Sequence, residues 1–310
     1  MEFAHVSVMF DEVISSVATK KNGIYADGTL GGGGHTGGIL TACDEATVVG
    51  IDRDTDALTA AKKKLHSFGS RFLPVHGNFS DVKRIMAELG IQGIDGGVLD
   101  LGVSSYQLDE ASRGFSYIHN APLDMRMNRM DSLSAAEVIN TYSAEKLTEI
   151  FYSYGEEKWS KRIAEFICQR RLEKPFETTG ELVEIIEKAI PKAARADGGH
   201  PAKRVFQAVR IEVNGELRIL ENAIRDFAEL ISPGGRLGII TFHSLEDRIV
   251  KNTFKDLCTD CICPKEFPVC VCNHRAVAKP FTKKPILPSK KELEENSRSR
   301  SAKLRVIEKL

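Results

Sequence analysis

Three groups of residues in this chain have the types and spacing that chemistry needs. The first is Asp27-Gly28-Thr29-Leu30-Gly31-Gly32-Gly33-Gly34-His35, a glycine loop between a β-rich run and a helical pattern. Glycines there let the backbone approach a ligand closely, and the following helix offers N–H groups at its N-terminus. Asp52 closes the next β-rich run, 24 residues after Gly28. A carboxylate at that place can accept hydrogen bonds from both hydroxyls of a ribose, so the pair predicts a nucleoside cofactor. A dinucleotide loop reads G-x-G-x-x-G and seats a pyrophosphate on the helix end. Here the acidic Asp27 directly precedes the first glycine. That placement suits a cationic ligand end, such as the amino-acid portion of S-adenosyl-L-methionine. Asp27 therefore favours methyl transfer over the hydride transfer of a nicotinamide-dependent oxidoreductase.

The second group is Asp100-Leu101-Gly102-Val103-Ser104-Ser105, which ends a fourth β-rich run. In a doubly wound sheet the carboxyl ends of the strands form the ligand crevice. Asp100 is thus expected beside the cofactor, and the Gly-Val-Ser-Ser turn where a substrate atom would meet it. Ser104, Ser105 or a carbonyl of that turn is the candidate holder of the reacting group; a plain helix-capping serine is the competing reading. His243 and Ser244, after a later β-rich run, are candidates for the substrate side, again against a helix cap. The third group is Cys258, Cys261, Cys263, Cys270 and Cys272, followed by His274, in the spacing C-x2-C-x-C-x6-C-x-C-x-H. Four such ligands can bind a structural zinc tetrahedrally, the alternative being reduced thiols packing a loop. Cys43 and Cys168 sit in helical patterns and read as core thiols.

The elements that must position these groups alternate in type. Gly23–Asp27, Thr47–Asp52, Phe72–His76 and Ile94–Leu101 read as strands, with helices over Asp54–Phe68 and Ser80–Leu89 between them. Strand and helix in alternation means βαβ units and a parallel sheet, an α/β Rossmann-like fold. From about Leu108 to Gly199 no strand-like run occurs, and Ser134–Ile139, Ala144–Tyr154, Lys158–Leu172 and Thr179–Ile190 read as helices. This predicts an inserted all-helical domain at 108–199 within a discontinuous sheet domain at 1–107 and 200–310. A long helix is expected after Pro201, stopped by the turn Ser232-Pro233-Gly234-Gly235. Arg236–Phe242 and Lys303–Glu308 complete the strands, with a helix over Ser244–Leu257.

At 310 residues, with 42% apolar and 28% charged, the chain has an ordinary globular balance and room for two domains. Lys+Arg and Asp+Glu are both 43, which excludes a uniformly basic, nucleic-acid-coating surface but not a local basic face. Asn273–Leu310 in fact carries eleven Lys/Arg against four Asp/Glu. No run approaches the length and apolarity of a transmembrane helix. The start, MEFAHVSVMFDEV, lacks the basic region that opens a secretory signal. Seven cysteines, five of them within Cys258–Cys272, favour a reduced, cytoplasmic compartment over a disulfide framework.

Further blocks run in order along nearly the whole chain: YADGTLGGGGHTGGIL, GIDRD, VHGNF, LDLGVSSYQLD, RGFSY then PLDMRM, YGEEKWSKRIA, HPAKRVFQAVRIEVNGEL, PGGRLGIITFHSLEDRIVK and SRSRSAKLRV. Together they resemble the bacterial small-subunit ribosomal RNA cytosine-N4 methyltransferases of the MraW type. The resemblance implies a Rossmann-like methyltransferase sheet with an inserted helical, RNA-facing domain. It also implies N4-methylation of a cytidine in the decoding region of 16S rRNA within the small ribosomal subunit. By motif it assigns S-adenosyl-L-methionine contacts to Gly33, Gly34, His35, Asp52, Phe79, Asp100 and Gln107. A non-catalytic RNA-binding assembly factor is the non-enzymatic alternative. For RNA, Arg126, Arg129, Lys161, Arg162, Arg170, Arg171, Lys203, Arg204, Lys283, Lys284, Arg298 and Arg300 are the candidate contacts.

Overall fold

The computed structural model describes residues 7–195, 199–264, 266–267, 269–272 and 274–310; the first six residues of the chain start, and Asn273 of the basic tail, lie outside them. It divides into two compact units, Met1–Gly102 with Leu217–Leu310, and Val103–Glu216.

The first unit is built on a seven-stranded sheet of β1 (Ile24–Asp27), β2 (Thr47–Asp52), β3 (Phe72–His76), β4 (Ile94–Asp100), β5 (Ile231–Thr241), β6 (Ala278–Pro280) and β7 (Lys303–Lys309). Their order is β3-β2-β1-β4-β5-β7-β6. β1 to β5 run parallel, while β7 pairs antiparallel with β5 and β6 antiparallel with β7. This is the Rossmann-like α/β arrangement expected from the alternation. The strands are apolar in continuous runs because consecutive residues point to opposite faces, and both faces are covered. Tyr25, Val48, Val98 and Ile240 enter one core with Val13 and Ile39 of the helices Phe10–Val17 and Gly34–Ala42. Their neighbours Ala26, Val49, Leu99 and Ile239 enter the other, with Ile85, Phe227 and Val250 of the helices Val82–Glu88, Glu216–Leu230 and Ser244–Leu257.

The second unit holds the helices Ala135–Thr141, Ala144–Ser153, Ser160–Arg170, Thr179–Ala189 and Lys203–Asn214 around its own core. Its limits are wider than the 108–199 expected. The helix Lys203–Asn214, placed by sequence with the sheet, buries Phe206 and Val209 among Val138, Ile150 and Ile186. The long helix expected after Pro201 is two helices, separated by Gly215 in the left-handed conformation (φ 62°). The helix Asp54–Phe68 is also shorter: Asp54 caps Thr55–Lys64, and a 3₁₀ segment follows. Ser232–Gly235, read as a stop, lies within β5. A register shift against β4 accommodates it, and Gly234 takes φ 82°.

Candidate active site

The strand order reverses about β1, since β2 and β3 lie on one side of it and β4 and β5 on the other. At such a switch point the loops leaving neighbouring strands part and open a crevice at the carboxyl ends. Three of those ends carry a carboxylate: Asp27 on β1, Asp52 on β2 and Asp100 on β4. Asp27 pairs in register with Gly50 and Val98, so Asp52 and Asp100 each stand two residues further out, flanking it.

Asp27 is the buried anchor of the glycine loop. One oxygen accepts the Thr29 N–H at 3.1 Å, and the other accepts the Thr36 hydroxyl at 2.7 Å. Burial pushes its pKa up to about 6, against the lowering effect of these hydrogen bonds. The Thr29 hydroxyl in turn accepts the Asp100 N–H at 2.6 Å, tying the loop to β4. Both oxygens of Asp27 are thus engaged, one by the loop and one by the helix that follows it. Thr29 and Thr36 were missed by the sequence reading, although an aspartate at the start of a loop is a turn-forming signal that engages the backbone two residues on, here Thr29.

Asp52 accepts the Gly31 N–H at 2.7 Å and the Asp54 N–H at 2.9 Å, and burial raises its pKa to about 6. The loop is shaped by three glycine positions. A Cβ on Gly28 would lie 2.5 Å from Leu99 Cδ2 and 2.9 Å from Phe79 Cβ, so the loop backbone rests directly on both side chains. Gly33 has φ 74°, and a Cβ there would meet Leu65 Cδ1 at 2.8 Å. Gly32 has open space within 4 Å. The N-cap of the helix Gly34–Ala42 is Gly33, which gives no side-chain hydrogen bond, while the Asp27 carboxylate takes the Thr36 N–H of the first turn. Phe79 opens the 3₁₀ segment after β3 and is half-buried.

His35 is buried, and its Nε2 lies 3.0 Å from the Val8 carbonyl. A carbonyl only accepts, so Nε2 carries the proton and the Nδ1 lone pair faces Asp100 Oδ2 at 3.9 Å. Burial lowers the imidazole pKa to about 4, so it is neutral near pH 7. Asp100 is incompletely satisfied: its Oδ1 is buried with no hydrogen-bond partner among the described residues. Its pKa is raised to about 8, first by burial, then by the nearby charges of Asp27 and Glu246. Glu246 is a third residue that the sequence reading passed over. It closes a capping box with His243, Nδ1 of which accepts the Glu246 N–H at 3.4 Å. The cap of this helix is therefore His243 and not Ser244.

Ser104, Ser105 and Gln107 belong to the helical unit and open its first helix, Ser105–Asp109. Ser104 Oγ accepts the Gln107 N–H at 3.2 Å, and Gln107 Oε1 accepts the Ser104 N–H at 3.0 Å. Here the helix-capping reading describes what the Ser104 side chain does. In the cysteine group, Cys261, Cys263, Cys270 and Cys272 come together, whereas Cys258 does not join them. Cys258 ends the helix Ser244–Leu257, and burial pushes its thiol up to about 11. His274 instead places Nε2 3.7 Å from Asp256.

Several candidate RNA contacts are engaged locally. Arg126 clamps Asp124 with two bonds of 2.8 and 2.9 Å, Arg170 pairs with Glu181, and Arg171 and Arg204 donate to the carbonyls of Ile139 and Glu156. Arg162 lies 5.3 Å from the Phe166 ring centre. In the basic tail, Lys303 and Arg305 pair with Asp247 and Lys279 with Glu308, so part of its charge is spent on the sheet. No helix among the described residues is long and apolar enough to cross a membrane.

The sequence model of the MraW methylase family matches residues 2–310. The chain is similar to proteins named ribosomal RNA small subunit methyltransferase H. Those from Clostridium botulinum (strain Loch Maree / Type A3) and Clostridioides difficile (strain 630) are 57% and 53% identical, each alignment covering 100% of both chains. That from Finegoldia magna is 52% identical over the same full span. With family match and relatives alike running from end to end across both units, the chain belongs to the MraW methylase family.

Proposed function

We propose that this protein transfers the methyl group of S-adenosyl-L-methionine to the exocyclic N4 of a cytidine in the decoding region of 16S rRNA. The observation that carries the reading is the end-to-end family match, to relatives named as small-subunit ribosomal RNA methyltransferases. The quoted motif blocks supply the cytidine N4 and the decoding region. The carboxyl edge of the sheet suits such a cofactor. It offers a helix N-terminus that opens on a glycine, a glycine cradle and a buried Asp100 oxygen with no hydrogen-bond partner among the described residues.

Gly33, Gly34 and His35 would hold the cofactor through the backbone at the helix start. Asp52 would receive the ribose hydroxyls on its remaining lone pairs, and Phe79 would flank the adenine with its ring face. Asp100 would gain there the partner that its orphan oxygen lacks, with Gln107 as a further contact. Asp27 would act by holding the loop, besides any electrostatic pull on a cationic ligand end. When bound, the cofactor supplies a methyl on a sulfonium, already activated for transfer. The chain's task is then mainly alignment, which can contribute several kcal/mol. A cytosine amine is a poor nucleophile because its lone pair is delocalised into the ring. Acceptors from the Ser104-Ser105 turn would draw that lone pair toward the methyl. The base must be unstacked to be reached.

The test is nucleoside mass analysis of small-subunit RNA incubated with the protein and labelled S-adenosyl-L-methionine, with naked RNA and unmodified subunits side by side. Label in N4-methylcytidine is expected. Label in another nucleoside, or cofactor binding without transfer to either substrate, overturns the acceptor. Absence of cofactor binding overturns the site.

A further inference from the structure

We propose that Cys261, Cys263, Cys270 and Cys272 form a structural zinc site with four thiolate ligands. The Cys270 sulfur lies 3.5 Å from those of Cys261 and Cys272 and 4.0 Å from that of Cys263, and the Cys261 and Cys272 sulfurs are 3.8 Å apart. All four ligand atoms fall within 4.8 Å of one another. A disulfide needs about 2.05 Å, and all four are free thiols. Zinc binds thiolate at about 2.3 Å, so four sulfurs placed tetrahedrally around it stand about 3.8 Å apart. The observed separations bracket that edge.

Apolar packing does not explain the cluster. Cys261 and Cys270 are exposed and the other two half-buried, so little apolar area is gained by gathering them. The backbone, moreover, is arranged for negative sulfur. The Val271 N–H donates to Cys263 Sγ at 3.4 Å, the Cys263 N–H to Cys261 Sγ, and the N–H groups of Ile262 and His274 to Cys272 Sγ. Such bonds disperse the net double negative charge of zinc with four thiolates, and they orient the ligands. A closed set of four leaves no open position for water, which makes the site structural. On binding, each thiol gives its proton to solvent, and no electron is transferred.

The fold gives the site a task. Between the helix Ser244–Leu257 and β6 the described residues hold no helix or strand. The Val277 N–H nonetheless returns to the Leu257 carbonyl at 2.9 Å, so the segment is a long loop closed at its base. Loops of this length without internal structure are uncommon in compact domains. A metal gathering its two C-x-C pairs replaces the missing core. It also holds Ile262, Phe267, Val269 and Val271 out at the surface, where each is more than half exposed.

The experiment is elemental analysis of the full-length protein purified without chelator or immobilised metal. Titration of its thiols with a mercurial follows, read by a zinc-sensitive dye. One zinc per chain, released as the thiols react, is expected. C258S should keep the metal, and C270S should lose it. Cobalt(II) reconstituted into the metal-free protein should show the charge-transfer bands of a tetrahedral thiolate site. Protein without metal in which the four thiols react freely, iron in place of zinc, or loss of metal in C258S would each overturn the proposal. Where C270S fails to fold, stoichiometry and mercurial release on the unaltered chain decide it.

Discussion

Among single residues, Asp100 stands out for the cost of its surroundings. Burial raises its pKa from 3.8 to about 8, so the carboxyl stays protonated at neutral pH. Between those values the folded chain binds a proton that the unfolded chain has released, so stability falls as pH rises. Asp27 and Asp52 act in the same direction, but only up to about pH 6. His35, lowered to about 4, acts oppositely and is finished by about pH 6.5. Of these four groups only Asp100 still changes its contribution between pH 6.5 and 8, so the difference between D100N and the unaltered chain isolates it there. D100N, which cannot ionise, should lose less thermal stability across that window than the unaltered chain; parallel curves from scanning calorimetry would refute the burial argument. That three acids end three strands is legible in the sequence. That only one has an orphan oxygen is not, because it depends on Thr29 and Thr36 reaching Asp27 and on Gly31 and Asp54 reaching Asp52.

At the scale of elements, runs of strand-forming residues were legible even where burial was partial, as in β3 (Phe72–His76) and β7. β1, β2, β4 and the central part of β5 were readable because strands covered on both faces are apolar in unbroken runs. β6 was not, since Ala278-Lys279-Pro280 has no such run and its proline suits only a sheet edge. The break at Gly215 was hidden because apolar spacing continues on either side of it. The short helix Ser105–Asp109 shows how an element can claim a residue that chemistry seemed to want. Its five residues cannot sustain a helix by propensity, and the Ser104–Gln107 capping box supplies the missing partners. S104A should cost about 0.5–2 kcal/mol of stability, and S104D should restore most of it, because aspartate caps as well as serine. Chemical denaturation reads both. An S104A midpoint equal to that of the unaltered chain would show that the cap is idle.

For the whole molecule, the domain limits were the hardest feature to read. The helix Lys203–Asn214 has an apolar face, but a face alone does not say which core receives it. The core it joins is complete without the sheet: Phe151, Phe176, Met125, Ile163 and Ile186 are each 1% exposed or less. The polar anchors of the unit are satisfied internally as well. Asn214 Oδ1 accepts the Met127 N–H at 2.8 Å, and its amide donates to the Met125 carbonyl at 2.8 Å. The Arg113 guanidinium, 1% exposed, donates to the carbonyls of Arg126 and Met127. The Tyr142 hydroxyl donates to Glu212 at 3.0 Å. Two of these links join the loop and first helices to Lys203–Asn214, closing the unit across its full sequence span. A fragment of residues 103–216 should therefore fold alone, with a helical circular dichroism spectrum and a cooperative thermal transition. A fragment of 108–199, cut where the sequence pattern changes, lacks both Asn214 and Phe206 and should melt without cooperativity. If the two fragments melt alike, Lys203–Asn214 contributes nothing to the unit, and its assignment to this core is wrong.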